Sequence, residues 1–164
     1  DLATRDFGDT IAEAPLAGGL APERLTLEIT EQVLLGEVER SARRLQQLVD
    51  LGVEIALDDF GAGFCNFHYL KVLPLSTLKL DRSMLVGAPA GARDLAVLRG
   101  IIGLGRALGM KVIAEGVEHP AQRDLVASEG CHAWQGFLGA KPIASGAIGA
   151  FIAQRHDART SDGR

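Results

Sequence analysis

Cysteine is scarce in this sequence. Cys65 and Cys131 are the only two in 164 residues, and neither sits in a CxxC spacing, so the sequence gives no sign of a disulfide framework or a paired-cysteine metal site. A reducing cytosol is the simplest compartment, and a cytoplasmic location is the expectation. Long apolar runs are also missing. Charge interrupts every apolar stretch well short of the roughly 18 residues a membrane span requires, and we expect no membrane segment. No basic-then-apolar leader opens the chain, which leaves nothing pointing to export. Basic residues are not in excess either: 17 Lys and Arg stand against 21 Asp and Glu, a formal net charge of −4. That balance argues against a general nucleic-acid surface, which needs clustered cations to neutralise phosphates. An acidic chain can still take an anionic ligand if bound cations invert the local field.

What remains is an ordinary globular composition, 47% hydrophobic and 23% charged, with room for one domain and a sizeable core. Short β-rich runs alternate with longer helical patterns, the signature of βα units on a parallel sheet. Five strands are expected, over Leu25–Glu31, Val53–Phe60, Thr77–Arg82, Lys111–Val117 and Ala133–Leu138. The clearest helices are Val38–Leu51, with an apolar stripe of Val38, Leu45, Leu48 and Val49, and Asp94–Leu108, with Leu95, Leu98, Ile101, Ile102, Gly105 and Leu108 at helical spacing. Gly52 and Gly109 follow them where a helix end favours a left-handed residue. Asp1–Leu20 reads as a further helix closed by Gly18 and Gly19, and the polar tail His156–Arg164 lacks an apolar period and is expected to be disordered.

No glycine-rich loop joins an early strand to its helix, as a dinucleotide-binding fold would require. The spacing Gly103-x-Gly105-x-x-x-Gly109 falls inside a helical stripe and is assigned to helix packing. Five units are too few for a closed barrel of eight, and an incomplete (βα)8 TIM-like barrel is the expected α/β fold, with 1–155 as the barrel portion.

Side-chain parity then singles out one polar residue late in each strand, because successive strand residues point to opposite faces. Glu28 opposes Leu25, Leu27 and Ile29; Asp58 opposes Val53, Ile55 and Leu57; Lys79 lies between Leu78 and Leu80; Glu115 shares the parity of Ile113; Gln135 opposes Trp134. In barrels of this kind the C-terminal strand ends converge on the site. A single strand carboxylate is commonly a structural hydrogen-bond acceptor. Three acids, a lysine and an amide at matching positions are costly to bury without partners, and a metal site with a phosphate-type ligand would satisfy them. Adjacent Asp58 and Asp59 can share two hard divalent cations, and Gly61 and Gly63 let the backbone bend after them. The alternative for that pair is a solvated turn capping the next helix. His68, His119, His132 and His156 show no paired metal-ligand spacing. Cys131 is expected to be a small buried residue and Trp134 a core side chain, while Arg82 could touch a phosphate or form a surface ion pair.

Five segments in order, Leu27-Glu28-Ile29-Thr30-Glu31, Asp58-Asp59-Phe60-Gly61, Lys79-Leu80-Asp81, Ala114-Glu115-Gly116-Val117-Glu118 and Gln135-Gly136-Phe137, resemble the successive motifs of EAL domains. The resemblance implies a cyclic-di-GMP phosphodiesterase using two Mg²⁺ or Mn²⁺ ions to give linear pGpG, in bacterial second-messenger signalling. It implies that Glu28 and Asp58 ligate one metal and Asp58 and Asp59 the second. Lys79 would position the attacking water, Glu115 would act as base or orienter, and Gln135 would bond near the cluster. Glu31 and Glu118 would support the surrounding loops. The partner implied is cyclic-di-GMP, and the resemblance allows a homodimer. The family's Glu-Ala-Leu motif and a following Asn, both ligands to the first metal, are not in this chain, so the isolated fragment is expected to turn over slowly. Phe64-Cys65-Asn66-Phe67 also departs from the Tyr-Ser-Ser-Leu pattern usual in a loop that couples dimerisation to metal binding. A non-catalytic cyclic-di-GMP receptor or interaction module of the same type is the alternative.

Overall fold

The structure, a computed structural model, describes residues 19–34, 38–63, 66–88 and 91–161. Most of the helix expected over Asp1–Leu20 lies outside these, as do Phe64 and Cys65 and the end of the tail, residues 162–164. Five strands are present: β1 (Thr26–Thr30), β2 (Glu54–Phe60), β3 (Thr77–Leu80), β4 (Lys111–Ala114) and β5 (Ala133–Trp134). Between and after them lie α1 (Val38–Asp50), α2 (Phe67–Val72), α3 (Ser83–Val86), α4 (Ala92–Ala107), α5 (Pro120–Ser128) and α6 (Ile148–Ser161). All four strand pairs are parallel, and the spatial order follows the sequence from β1 to β5. This is the βα alternation read from the periodicity, laid out as five adjacent strands of a TIM-like barrel wall.

The helical stripes bury as their spacing requires. On α1, Leu45 and Leu48 are fully buried, and on α4 Leu98, Ile101, Ile102 and Gly105 face inward, while Leu108 ends the stripe 47% exposed. They pack on Ile55, Leu57, Leu78, Leu80 and Val112, none of which is measurably exposed. Each fully buried aliphatic side chain of this size contributes about 1.5–3 kcal/mol. Gly105 allows the closest approach: a Cβ there would lie 2.7 Å from Val112 Cγ2 and 3.3 Å from Leu78 Cδ2, so its part in the glycine spacing is to seat α4 on the sheet. Gly52 (φ +99°) and Gly109 (φ +78°) close α1 and α4 in the left-handed conformation expected of them.

Four strands stop earlier than the sequence pattern suggests, β1 by a single residue. β3 ends at Leu80 because Asp81 turns the chain into α3, its carboxylate accepting the Ser83 N–H at 2.9 Å. β4 and β5 end at Ala114 and Trp134, yet main-chain bonds continue beyond them: Gln135 N–H donates to Ala114 O at 2.9 Å and Val117 N–H to Gln135 O at 3.0 Å. Gly136 then lies directly against the Val117 backbone, where no side chain would fit, and the chain turns away. At the other extreme α6 runs to Ser161. Residues 156–161 are therefore helical where the missing apolar period led us to expect no regular structure.

Candidate metal and catalytic site

Strand register places the polar residues on one face. Partners across a parallel ladder share a face, and so do residues two apart along a strand. Glu28 pairs with Ala56 and Ala56 with Thr77; Asp58 and Lys79 stand two residues beyond those partners, and Lys79 pairs with Ile113. Glu28, Asp58 and Lys79 thus rise on the side of the sheet away from the helical core, and Glu115 follows from β4 with the parity of Ile113. Glu28 is the central residue of β1, Asp58 and Lys79 stand in the later halves of β2 and β3, and Glu115 comes just past the end of β4.

They meet at Lys79. Its side chain is 6% exposed, and its Nζ lies 2.8 Å from Glu28 Oε2, 2.8 Å from Asp58 Oδ1 and 2.7 Å from Glu115 Oε1. Gln135 Nε2 donates to the same Glu115 oxygen at 2.6 Å. All five residues singled out by parity are therefore joined through one ammonium and one carboxylate. Burial alone would lower the Lys79 pKa, but bonds to Asp58, Glu115 and Glu28 outweigh it and hold the amine above its ordinary value. Glu115 goes the opposite way to most paired acids. Burial raises its carboxyl above the usual range, Lys79 pulls it down, and the charges of Asp58 and Asp59 push it up again.

Asp58 and Asp59 reach the site together through a local break in the ladder. Leu57 pairs with Leu78 and Phe60 with Leu80, so β2 has one more residue than β3 over this stretch, as in a bulge. Asp59 takes φ +54°, the only left-handed non-glycine residue among those described. Strict alternation would send neighbouring carboxylates to opposite faces. Here oxygens of Asp58, Asp59 and Glu115 lie within 4.8 Å of one another. Asp58 Oδ1 is buried without an aligned hydrogen bond, although the Lys79 ammonium is in ion-pair contact with it. An all-oxygen acidic set with an under-satisfied buried acceptor suits a hard divalent cation, and the residues present fit one. The metal-capable group among the described residues contains no histidine or cysteine.

Glu115 belongs to this metal-capable group, whereas Glu28 is tied to it through Lys79 and stays 50% exposed. Glu31 lies in the 3-10 turn Glu31–Leu34 just after β1. Burial pushes its carboxyl up and the Asn66 backbone N–H partly offsets this. Glu31, Asp59, Ala62 and Asn66 line a cleft of about 470 Å3 on that side. Arg82 and Glu118 line a second cleft, of about 560 Å3, with Glu115 and Gln135. Phe137, Lys141 and Phe151 close it. Phe137 was quoted only as the end of a motif, and Lys141 and Phe151 were not singled out from the sequence; Lys141 stands after the last strand, in a stretch without periodicity. His132 accepts the Val112 N–H at Nδ1, 3.0 Å away, and Trp134 packs against the core. Burial, with help from Glu129, raises the Cys131 thiol to about 11.

Comparison with known proteins agrees with this geometry. The family described as the EAL domain matches residues 1–142. The cyclic di-GMP phosphodiesterase NbdA of Pseudomonas aeruginosa is 38% identical over 159 residues, covering 96% of this chain and 20% of that protein. Two solved structures superpose closely. The PaMucR phosphodiesterase in complex with c-di-GMP gives a TM-score of 0.82 at 37% identity, over 90% of this chain and 60% of that one. The EAL domain of Mycobacterium smegmatis DcpA gives 0.87 at 36% identity, over 93% and 69%. The chain thus spans about a fifth of the curated relative it matches.

Proposed function

The chain belongs to the EAL domain family, and from that premise we propose that it forms the metal-binding and catalytic arm of a phosphodiesterase that opens cyclic-di-GMP to linear pGpG. The observation that carries the proposal is the convergence of Glu28, Asp58 and Glu115 on Lys79, with Asp59 brought alongside by the break in β2. Glu28 and Asp58 would hold one cation and Asp58 and Asp59 a second, with Mg²⁺ or Mn²⁺ matching the oxygen donors. When bound, such cations supply Lewis acidity toward the phosphodiester and make water a better nucleophile.

The protein groups divide the remaining work. Lys79, held protonated by its acidic neighbours, fixes a positive charge where the attacking water and a phosphate oxygen meet. Both the Lys79 and the Gln135 contacts fall on Glu115 Oε1, so Oε2 would be the oxygen that takes the proton of the attacking water. Its raised pKa suits a general base working near neutral pH. Arg82, on the rim of the second cleft, would meet a phosphate of the substrate, and Glu31 and Glu118 would order the loops on either side. The test is Asp58→Asn in the longest natural protein that carries this chain. Losing one carboxylate charge from between two cations should abolish pGpG formation, followed by chromatography in Mg²⁺ and in Mn²⁺; a near wild-type rate refutes the bridging role.

A further inference from the structure

The acidic pair depends on a backbone conformation that its own residues do not favour. A non-glycine residue at φ +54° costs free energy unless its surroundings impose it, and Gly61, two residues after Asp59, takes φ +103°. What lies against this turn is the start of α3. Asp81 N–H donates to Phe60 O at 3.0 Å, and Met84 N–H donates back to Asp81 O at 3.0 Å. The Ser83 hydroxyl reaches Gly61 O at 3.4 Å. The Met84 side chain covers Gly61 so closely that a Cβ there would lie 2.6 Å from Sδ and 2.7 Å from Cγ. α3 is only four residues long, too short to hold itself, but Leu85 is fully buried and Met84 packs against the core. The helix is thereby fixed to the core on one side and laid over the turn on the other.

We propose that Met84 is a positioning residue for the acidic pair: its side chain, seated on Gly61, keeps the Asp59–Gly61 turn in the conformation that brings the Asp58 and Asp59 carboxylates to one site. Met84 touches neither carboxylate in this role and acts through the turn. An unbranched, adaptable thioether suits a surface as narrow as a glycine Cα. The same contact explains why position 61 takes no side chain, beyond what its φ alone demands. The proposal rests on the metal reading of Asp58 and Asp59 only for its consequence in binding; the effect on the turn stands apart from it.

The experiment therefore has two readouts, both on the longest natural protein that carries this chain. The first, without metal, is amide hydrogen exchange at Ala62, whose N–H bonds Asp59 O at 3.1 Å across the turn. Met84→Ala should raise this exchange at least tenfold, while Met84→Leu, which refills the space, stays within threefold of wild type. The second is Mn²⁺ titration by calorimetry at a temperature where circular dichroism shows each variant folded. Met84→Ala should weaken Mn²⁺ about tenfold, whereas Val126→Ala, a cavity in the buried face of α5, should lower thermal stability and leave Mn²⁺ affinity unchanged. Gly61→Ala and Met84→Ala combined should fall well short of additive in the exchange readout, because the Cβ added at position 61 collides with the Met84 side chain and the truncation removes that collision. Unchanged Ala62 exchange in Met84→Ala, strict additivity with Gly61→Ala, or equal Mn²⁺ losses in Val126→Ala each overturn the proposal. If the wild type takes no Mn²⁺, the metal reading fails while the exchange data still decide the role of Met84.

Discussion

Replacing Lys79 with methionine isolates the charge at the centre of the site, because methionine keeps most of the apolar stem and removes the ammonium. Without it Glu28, Asp58 and Glu115 face one another across the space the ammonium occupied, with Asp59 close by; oxygens of the two aspartates and Glu115 already approach within 4.8 Å. At an effective dielectric of about 20, two unit charges 5 Å apart repel by about 3 kcal/mol. Glu28 is half exposed and Asp58 20% exposed, so solvent screens part of the sum. A net loss of about 3 kcal/mol at neutral pH follows, at the lower end of what breaking a buried ion pair costs. The pH dependence separates this from lost packing. Lys79's pKa is raised, so its contribution is complete below the ordinary lysine pKa and lost only as pH climbs through the higher folded value. The titration of Lys79 itself therefore adds no pH dependence across the acid to neutral range. Glu115 is also raised, so its contribution is present below the ordinary carboxylate pKa and fades as pH rises through the raised one. Urea denaturation should therefore show the variant's deficit shrinking to about 1 kcal/mol or less near pH 5, where protonation relieves the repulsion, and shrinking again at pH 7.5 when Mn²⁺ is added. A deficit that stays the same at both pH values, with or without Mn²⁺, refutes the electrostatic account and leaves packing as the cause.

Two further outcomes test the frame around the site. Gly105→Ala should destabilise the chain by about 1–3 kcal/mol in the same denaturation assay, since the new methyl meets Val112 and Leu78; a loss below about 0.5 kcal/mol would mean α4 can lift without cost. In a Cys65→Ser background, Cys131 should react with a thiol reagent at pH 8 about a hundredfold more slowly than an unperturbed cysteine. Its pKa of about 11 against an ordinary 9.0 leaves that much less thiolate, and labelling as fast as that of a free thiol would contradict the burial assigned to it.

The strands and their polar ends were legible because two signals coincided. Period-two alternation located Ile55 and Leu57 on the core side, and the late polar residue in each strand marked the opposite face. The register then joined Glu28, Asp58, Lys79 and Glu115 as parity required. What parity could not give is the pairing of Asp58 with Asp59. Alternation separates neighbours, and only the extra residue in β2 and the left-handed Asp59 bring them together. That Lys79 ties three carboxylates at once was also hidden, since strand position indicates a face and not a partner. α3 escaped notice because four residues carry no period; its importance lies in the contact of Met84 with Gly61, between residues 23 apart in sequence. The extended reading of Ala133–Leu138 missed how early Gly136 turns the chain, a consequence of its contact with Val117 that no local propensity records.

The sequential order of the sheet also bears on how the molecule comes to be built. Among the described residues each strand hydrogen-bonds only to the strand before and after it in the chain, so each of these pairings closes a loop of moderate length. A chain leaving the ribosome can lay the wall down one unit at a time. Lys79 arrives with β3, after Glu28 and Asp58, which gives two acids their counter-ion before the third is made. Glu115 follows with β4, and Gln135, at the end of β5, is the last to take its place. The nascent chain thus passes through no stage in which all three acids have emerged without their cation.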